Sequence, residues 1–538
     1  MKEYDYIVVG AGSAGCVLAN RLSESARDQV LILEAGGSDM NVWIQVPIGY
    51  GRTFYNPKLN WMYETEADPA LAGRTAYWPR GKVLGGSSSI NAMVYVRGQR
   101  EDFDDWEAMG NPGWSWKDVL PYFKKSEDHV WGASEFHGAG GPLRVSDIST
   151  KVHPLCGTFI DTCKNLGYEY TEDFNGEKME GVGHWQMNIR DGIRASASNA
   201  FLRPALKRNN LTVQTHSLVT KVIFSGKRAT GVEYIRDGER QVVLARKEVI
   251  LSGGAVNSPQ LLQLSGIGSA ELLNRLSIPI VRDCPAVGRN MQDHMCVSYI
   301  FKSKVPTLND ELNPMMGKVK AGIQYLFGKK GPLSMSVNQA GAFVRSRPEL
   351  ARPNLQIYFN PVSYTLAPDG EKKLMNPDPY SAFLISFNTC RPTSRGHLEI
   401  RSADPAEKPA IYPNSLSSEE DIQDVFDGAR LLRRIASTHP LSDIIEEELL
   451  PGTVAQTDEA LLEDFRKRAG TVFHACGTCA MGSNPETAVV DIRLKVYGIE
   501  GLRVVDASIF PTVTSGNTNA PAIMVGEKGA AMILEDNR

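Results

Sequence analysis

The chain has 538 residues, with 58 basic and 62 acidic side chains (net charge −4), 42% apolar and 22% charged residues, 49 glycines and 30 prolines. This describes a folded protein of more than one domain, long enough to bury a large core without a metal or a disulfide framework. It excludes disorder, collagen-like sequence and a membrane-spanning bundle, and argues against nucleic acid or an anionic membrane surface as an obligate partner.

Tyr4 to Val9 form a strand-like run preceded only by Met1, Lys2 and Glu3, so no signal peptide is expected. Gly10-Ala11-Gly12-Ser13-Ala14-Gly15 follows, then a helical run to about Ser25, and then Val30-Leu31-Ile32-Leu33 ending at Glu34. This is a βαβ unit with G-x-G-x-x-G at its first turn. Gly10 permits the tight turn, Gly12 lets backbone approach a pyrophosphate, and Gly15 lets helix pack on strand. The helix start offers free N–H groups to phosphate. Glu34 stands nineteen residues past Gly15, where an acid accepts hydrogen bonds from ribose hydroxyls and disfavours a 2′-phosphate. The motif does not separate FAD from NAD.

From about 38 to 150 periodicity is poor, which predicts an extended segment lying over a ligand. Within it, Arg80-Gly81-Lys82-Val83-Leu84-Gly85-Gly86-Ser87-Ser88-Ser89-Ile90-Asn91 reads as a backbone nest or, equally, as a flexible linker. Residues 210–254 alternate like strands and lead to Gly253-Gly254 and a helix over Gln260–Leu264. Between 300 and 470, strands are expected around Leu355–Asn360, Ala382–Asn388 and Leu398–Arg401. Amphipathic helices are expected near 419–437, with Ser417 or Ser418 as cap, and near 458–468. Leu502 to Asp506 read as a buried strand before a final helix from about Ala520.

Eight cysteines are too sparse for a disulfide framework. Cys476 and Cys479 form the one C-x-x-C, read as small buried residues in preference to a redox dithiol. The nine histidines show no metal-ligand spacing, so no metal is expected. No apolar run approaches the ~20 residues of a membrane span. The expected location is the cytoplasm, with peripheral contact at the inner membrane face left open.

Four stretches together resemble the glucose–methanol–choline (GMC) flavin oxidoreductases, in the branch of bacterial alcohol, choline and sorbose dehydrogenases. They are Gly10 to Glu34, Gly81 to Asn91, Gly254-Ala255-Val256-Asn257-Ser258-Pro259 through Gly268, and His474 through Asp506-Ala507-Ser508 to Gly516-Asn517-Thr518-Asn519. The resemblance implies FAD, bound by a Rossmann-like domain of discontinuous segments, and a substrate domain built on an antiparallel sheet: α/β joined to α+β. The implied division is 1–150, 210–300 and 471–538 for FAD, and 301–470 with 151–209 for substrate.

Residue by residue, the resemblance implies that Gly10, Gly12, Ser13, Ala14, Gly15, Glu34 and Ala35 hold the ADP half, with Val219 meeting the adenine through its backbone. Gly81, Leu84, Gly85, Ser87, Asn91, Ala92 and Val94 would line the pyrophosphate and flavin. Asp506, Ala507 and Thr518 would approach the ribityl chain and ring, and His474 and Asn517 would face the reactive side. Ile90 stands where some members carry a FAD-linking histidine, so noncovalent FAD is expected. Gln339 stands where the choline and sorbose branch often has glutamate, which puts choline in doubt because trimethylammonium favours an anion or an aromatic cage.

The chemistry implied is oxidation of an alcohol to an aldehyde or ketone. His474 would serve as base, flavin N5 would take the hydride, and Asn517 would donate to the alkoxide-like oxygen. Asn519 is the rival of Asn517, and His294 reads as structural or FAD-proximal. The expected electron acceptor is a quinone or another carrier. An oxidase making peroxide, and a non-redox lyase of the hydroxynitrile lyase type, stay open as alternatives.

Overall fold

A computed structural model describes residues 2–365 and 376–538. Its first sheet has seven strands and takes its centre from runs buried on both faces, as parallel strands require. Lys2–Val9 lies parallel to Val30–Leu33, which lies parallel to Leu211–Gln214. On its other edge Lys2–Val9 pairs with the long strand Glu239–Leu251. That strand serves two partners. Its first half continues an antiparallel meander through Leu218–Ser225 and Arg228–Arg236, and its end, Val249 to Leu251, pairs in parallel with Leu502–Val504. The last strand of the sheet thus arrives from a distant part of the chain.

Helix Ser13–Leu22 covers this sheet and packs on the C-terminal helix Asn519–Asp536. A Cβ at Gly526 would lie 3.0 Å from Ala14 Cα and Val17 Cβ, so the glycine sets how closely the helices approach. Arg21 grips the fully buried Glu527 across the same contact through Nε and Nη2, at 2.8 and 2.7 Å.

The second sheet is antiparallel throughout, in the order Ile445–Leu450, Met295–Ser303, Ala382–Thr389, Leu355–Asn360, Ala340–Val344, Gly181–His184, with Gly470–Thr471 beside Met295 and Cys296. Alternation decides what each face does. Val297, Tyr299, Phe301, Ile357, Phe359, Phe383, Ile385 and Phe387 point into a core closed by helices Leu155–Asn165 and Glu419–Ala436. Cys296, Ser298, Ile300, Tyr358, Asn360, Leu384 and Ser386 point the opposite way, into a cavity shared with the first sheet. Ser418, not Ser417, caps the 419–436 helix, accepting from Asp421 N–H.

Two expectations need correction. The 38–150 segment is not wholly extended, because it contains helices Arg100–Ala108 and Trp116–Ser126. The first has only Phe103 and Trp106 as buried apolar anchors, and the second buries Trp116, Val119 and Phe123 at helical spacing but carries Pro121 inside it, which obscures the helix in the sequence. The helix predicted at Gln260 begins earlier, at Gly254.

An internal ion cluster ties the late strand in place. Arg503, 1% exposed, pairs with Glu248 at 2.6 and 3.0 Å and with Asp536 at 2.7 Å. Replacing Arg503 by Met leaves Glu248 buried without its cation, and urea unfolding should show a loss of ~3–5 kcal/mol. A loss below ~1 kcal/mol would place the pair with exposed ion pairs of little weight.

Candidate active site

One cavity of about 1670 Å³ runs between the sheets. At its inner end Gly10 turns at φ +98°, with Ser252 O only 2.5 Å from where a Cβ would stand. The helix opening at Ser13 has no side-chain cap on its N-terminal N–H groups, and Gly12, Ser13 and Ala14 line the cavity there. Gly86, at φ +52°, would put a Cβ 2.7 Å from Gly12 Cα. The 81–91 loop therefore lies directly against the first glycine turn, anchored by Gly85 N–H donating to Ala11 O at 2.7 Å. Bare backbone, uncapped helix donors and elongated space fit a dinucleotide.

Of the other residues expected to hold cofactor, Glu34, Ala35, Gly81, Ser87, Asn91, Ala92, Val94 and Val219 line the cavity. So do Asp506, Ala507, Asn517 and Thr518. Gly15, Leu84 and Gly85 do not. Gly15 is a packing residue, because a Cβ there would meet Gly10 O at 1.9 Å. Gly85 closes the turn at φ +86°, and Leu84 packs against the main core.

The acids are already engaged. Glu34 accepts from Ala11 N–H at 2.9 Å and Gly36 N–H at 2.8 Å, and burial raises its carboxyl to about 7 against those bonds. Asp506 accepts from Ser258 Oγ at 2.6 Å, Gly254 N–H at 2.8 Å and Ser508 N–H at 2.8 Å. It thereby locks the 502–506 strand to the 254–264 helix.

At the outer end the segments 292–296 and 470–476 run antiparallel, with Met295 opposite Thr471 and Gln292 exchanging both backbone bonds with Cys476. This register sets His294 beside His474. Their Nδ1 atoms are 2.9 Å apart, His294 Nε2 lies 3.0 Å from Cys390 O, and His474 Nε2 lies 3.0 Å from Asn517 Nδ2. A carbonyl only accepts, so the proton of neutral His294 is on Nε2. Its Nδ1 must then accept from His474 Nδ1–H, which leaves the lone pair of His474 on Nε2, facing the Asn517 amide. Asp293 Oδ1 accepts from His474 N–H at 2.7 Å and holds the backbone. Asn517 also meets Tyr358 Oη at 3.3 Å. Asn519 lies elsewhere: its Oδ1 accepts from Ser13 Oγ at 2.8 Å, at the dinucleotide end.

Burial keeps this pair neutral. It pushes His294 down to about 4 and His474 well below 6.5, with repulsion from His294 and Arg80 adding to the latter. The sequence signal for His294 and Asp293 is the cluster of polar residues Asn290, Gln292, Asp293 and His294, and Tyr358 gives none.

Ile90 lines the cavity, so the position compared with the FAD-linking histidine does face it. Gln339 does not. Its Oε1 accepts from His153 N–H at 2.8 Å behind the wall, so its lack of charge says nothing about choline. Cys476 and Cys479 are free thiols buried in the main core, their thiols raised by burial. Glu127, His129 and His137 bring potential metal ligands within 4.8 Å of one another. Arg97 nevertheless pairs with Glu127 at 2.7 Å, and His137 spans Glu127 and Asp173 at 3.1 and 2.7 Å, so the cluster already has its cation.

A dinucleotide fold with a histidine–asparagine pair at the far end of the same cavity defines a cofactor-dependent enzyme. The chain matches the GMC oxidoreductase family models over residues 4–296 and 392–526, and it belongs to that family of FAD-dependent oxidoreductases. It is 45% identical to human mitochondrial choline dehydrogenase over 542 residues, covering 99% of this chain and 90% of that one. It is 42% identical to an alcohol dehydrogenase [acceptor] of Pseudomonas putida, covering 99% and 96%. Among solved structures, pyridoxine 4-oxidase of Mesorhizobium loti superposes with a TM-score of 0.89 at 31% identity, covering 98% of each chain. Formate oxidase of Aspergillus oryzae reaches 0.92 at 27%, covering 99% and 98%.

Histidines held neutral by burial take up protons in the unfolded chain first, so stability should fall as pH drops below 6.5 towards about 4. His294→Asn should remove about 2 kcal/mol of the stability lost between about pH 7 and pH 5, measured by urea unfolding. An unchanged loss would mean that His294 is not held neutral.

Proposed function

We propose that the protein oxidises an alcohol to an aldehyde or ketone, with His474 Nε2 taking the hydroxyl proton. The observation that carries this reading is the hydrogen-bond chain from Cys390 O through His294 to His474, which leaves a lone pair on Nε2 at the cavity wall. A neutral imidazole is the form that accepts a proton, and burial holds it neutral at ordinary pH. Asn517 Nδ2, 3.0 Å from Nε2, is placed to donate to the same oxygen as negative charge develops on it. FAD, when bound, supplies the acceptor for the hydride released from carbon. Gly10, Gly12, Ser13, Ala14, Glu34, Ala35, Gly81, Ser87 and Val219 would hold its nucleotide half, and Asn91, Ala92, Val94, Asp506, Ala507 and Thr518 its remainder. The segments 1–150, 210–300 and 471–538 would form the FAD domain, with 151–209 and 301–470 serving the substrate.

Aromatic rings line the outer cavity, among them Tyr50, Phe54, Tyr358, Tyr364 and Phe473. They suit an alcohol with an apolar or quaternary-ammonium body. The word acceptor in the name of the Pseudomonas putida relative supports an electron carrier, which we take to be a quinone reached by a cytoplasmic protein in peripheral contact with the inner membrane face. The oxidase neighbours, and bacterial relatives named oxygen-dependent choline dehydrogenase, support oxygen as the second reading. Peroxide formed under air during turnover separates the two, and failure of any alcohol to bleach the flavin anaerobically would favour a lyase.

His474→Ala should slow anaerobic flavin reduction by ~10²–10⁴-fold with FAD retained. Asn517→Ala should slow it less, and Asn519→Ala should be milder still. Near wild-type reduction in His474→Ala would refute the base. With Ile90 at the linking position, acid precipitation should release all the flavin, whereas flavin left on the polypeptide would reveal another covalent attachment.

A further inference from the structure

The helix Met315–Gly328 has its buried face reduced to Ala321 and Tyr325. Its other face is exposed and apolar: Met315 73%, Met316 78%, Val319 48%, Ile323 52%, Leu326 72% and Phe327 88%. At ~100° per residue these six fall within an arc of about 120°, opposite Ala321 and Tyr325. Lys318 and Lys320 border the arc on its two sides, and Lys329 and Lys330 follow the helix. Residues 314–331 carry these four lysines and no carboxylate.

Neighbouring segments also expose apolar residues. Tyr325 Oη donates to Gly192 O at 3.0 Å, and Arg194 Nε donates to Ile44 O at 2.9 Å. Those bonds tie the helix to the 192–194 turn and that turn to the 40–45 segment, where Ile193, Met40, Val42 and Trp43 are exposed, with the Arg52 guanidinium 5.1 Å from the Trp43 ring centre. The exposed acids nearby are Asp191, Asp310 and Glu311, and Asp310 is held by Ser381 Oγ and Thr307 N–H, which donate to it. An exposed apolar helix face of this extent on a folded protein marks an interaction site.

We propose that this face seats on an anionic lipid bilayer, with the 315–328 helix lying in the interface. An apolar stripe bordered by lysines is the pattern that sinks into the acyl boundary while its cations meet lipid phosphates. The net charge of −4 does not oppose this, because the headgroups meet the local cluster and not the molecular sum. The face is also close to the cavity. The chain leaves the helix through Gly331 and Pro332–Ser334 to Ser336, whose Oγ donates to Tyr50 Oη at 3.4 Å, and to Asn338; Tyr50 and Asn338 both line the cavity. The proposal names the surface for the peripheral contact put forward above and rests on that part of the reading alone, not on the histidine chemistry.

The test is co-sedimentation of the FAD-loaded full chain with phosphatidylcholine vesicles, with and without about a third phosphatidylglycerol. The wild type should bind the anionic vesicles and release with salt. Ile323→Glu/Phe327→Glu should abolish binding. Lys318→Ala/Lys320→Ala should weaken binding to the anionic vesicles about 30-fold while leaving binding to neutral vesicles unchanged. All four side chains are exposed, so flavin content and vesicle-free flavin reduction should match wild type; those assays report on the chemistry separately. Absence of wild-type binding, or variants that bind like wild type, would overturn the proposal. So would a dimer in light scattering that Phe327→Glu dissociates, since the face would then meet a second copy.

Discussion

The hydrogen bond from His294 Nε2 to the backbone carbonyl of Cys390 governs the chemistry at the other end of a histidine pair. A carbonyl oxygen has no proton to give, so the bond fixes one tautomer of His294, and the Nδ1–Nδ1 contact passes that choice to His474. Water would let both rings exchange tautomers freely. Here burial forbids the charged form and the carbonyl forbids the alternative neutral form, so the lone pair is delivered to one atom. The carbonyl belongs to the residue that follows the strand Ala382–Thr389 of the second sheet. The histidines lie on two segments whose antiparallel register comes from Met295 and Thr471. Sheet geometry thus specifies a proton position.

The same economy governs the dinucleotide end, where backbone meets backbone. Gly86 against Gly12 and Gly15 against Gly10 leave no room for a side chain, so the loop and turn meet as bare backbone. Asp506 and Arg503 bring the C-terminal strand to that surface through buried charged bonds to the 254–264 helix, Glu248 and Asp536. Removing one partner of such a bond is costly because the other stays buried. The residues that build the scaffold are therefore as constrained as those that line the cavity.

What could be read in the sequence follows from the range of each interaction. The Gly10 to Glu34 unit was legible because its turn, helix and strand are local, and the even spacing of apolar residues marked Leu355–Asn360 and Ala382–Thr389. Arg100–Ala108 was hidden, its helix held by tertiary contacts of Phe103 and Trp106 and not by a stripe. His474 and Asn517 were found through a family resemblance. Their pairing with His294 and Tyr358 was not legible, since it depends on segments 180 and 159 residues apart in the chain meeting at one place. Gln339 shows the converse limit: a position that alignment places near substrate has its side chain turned behind the wall.

Neutron diffraction from deuterium-exchanged, substrate-free crystals tests the central claim most directly, because it locates the hydrogens that the tautomer argument assigns. The account predicts deuterium on His294 Nε2 and His474 Nδ1, and none on His474 Nε2. Deuterium on His474 Nε2 would contradict it, since the atom assigned as base would then already hold a proton.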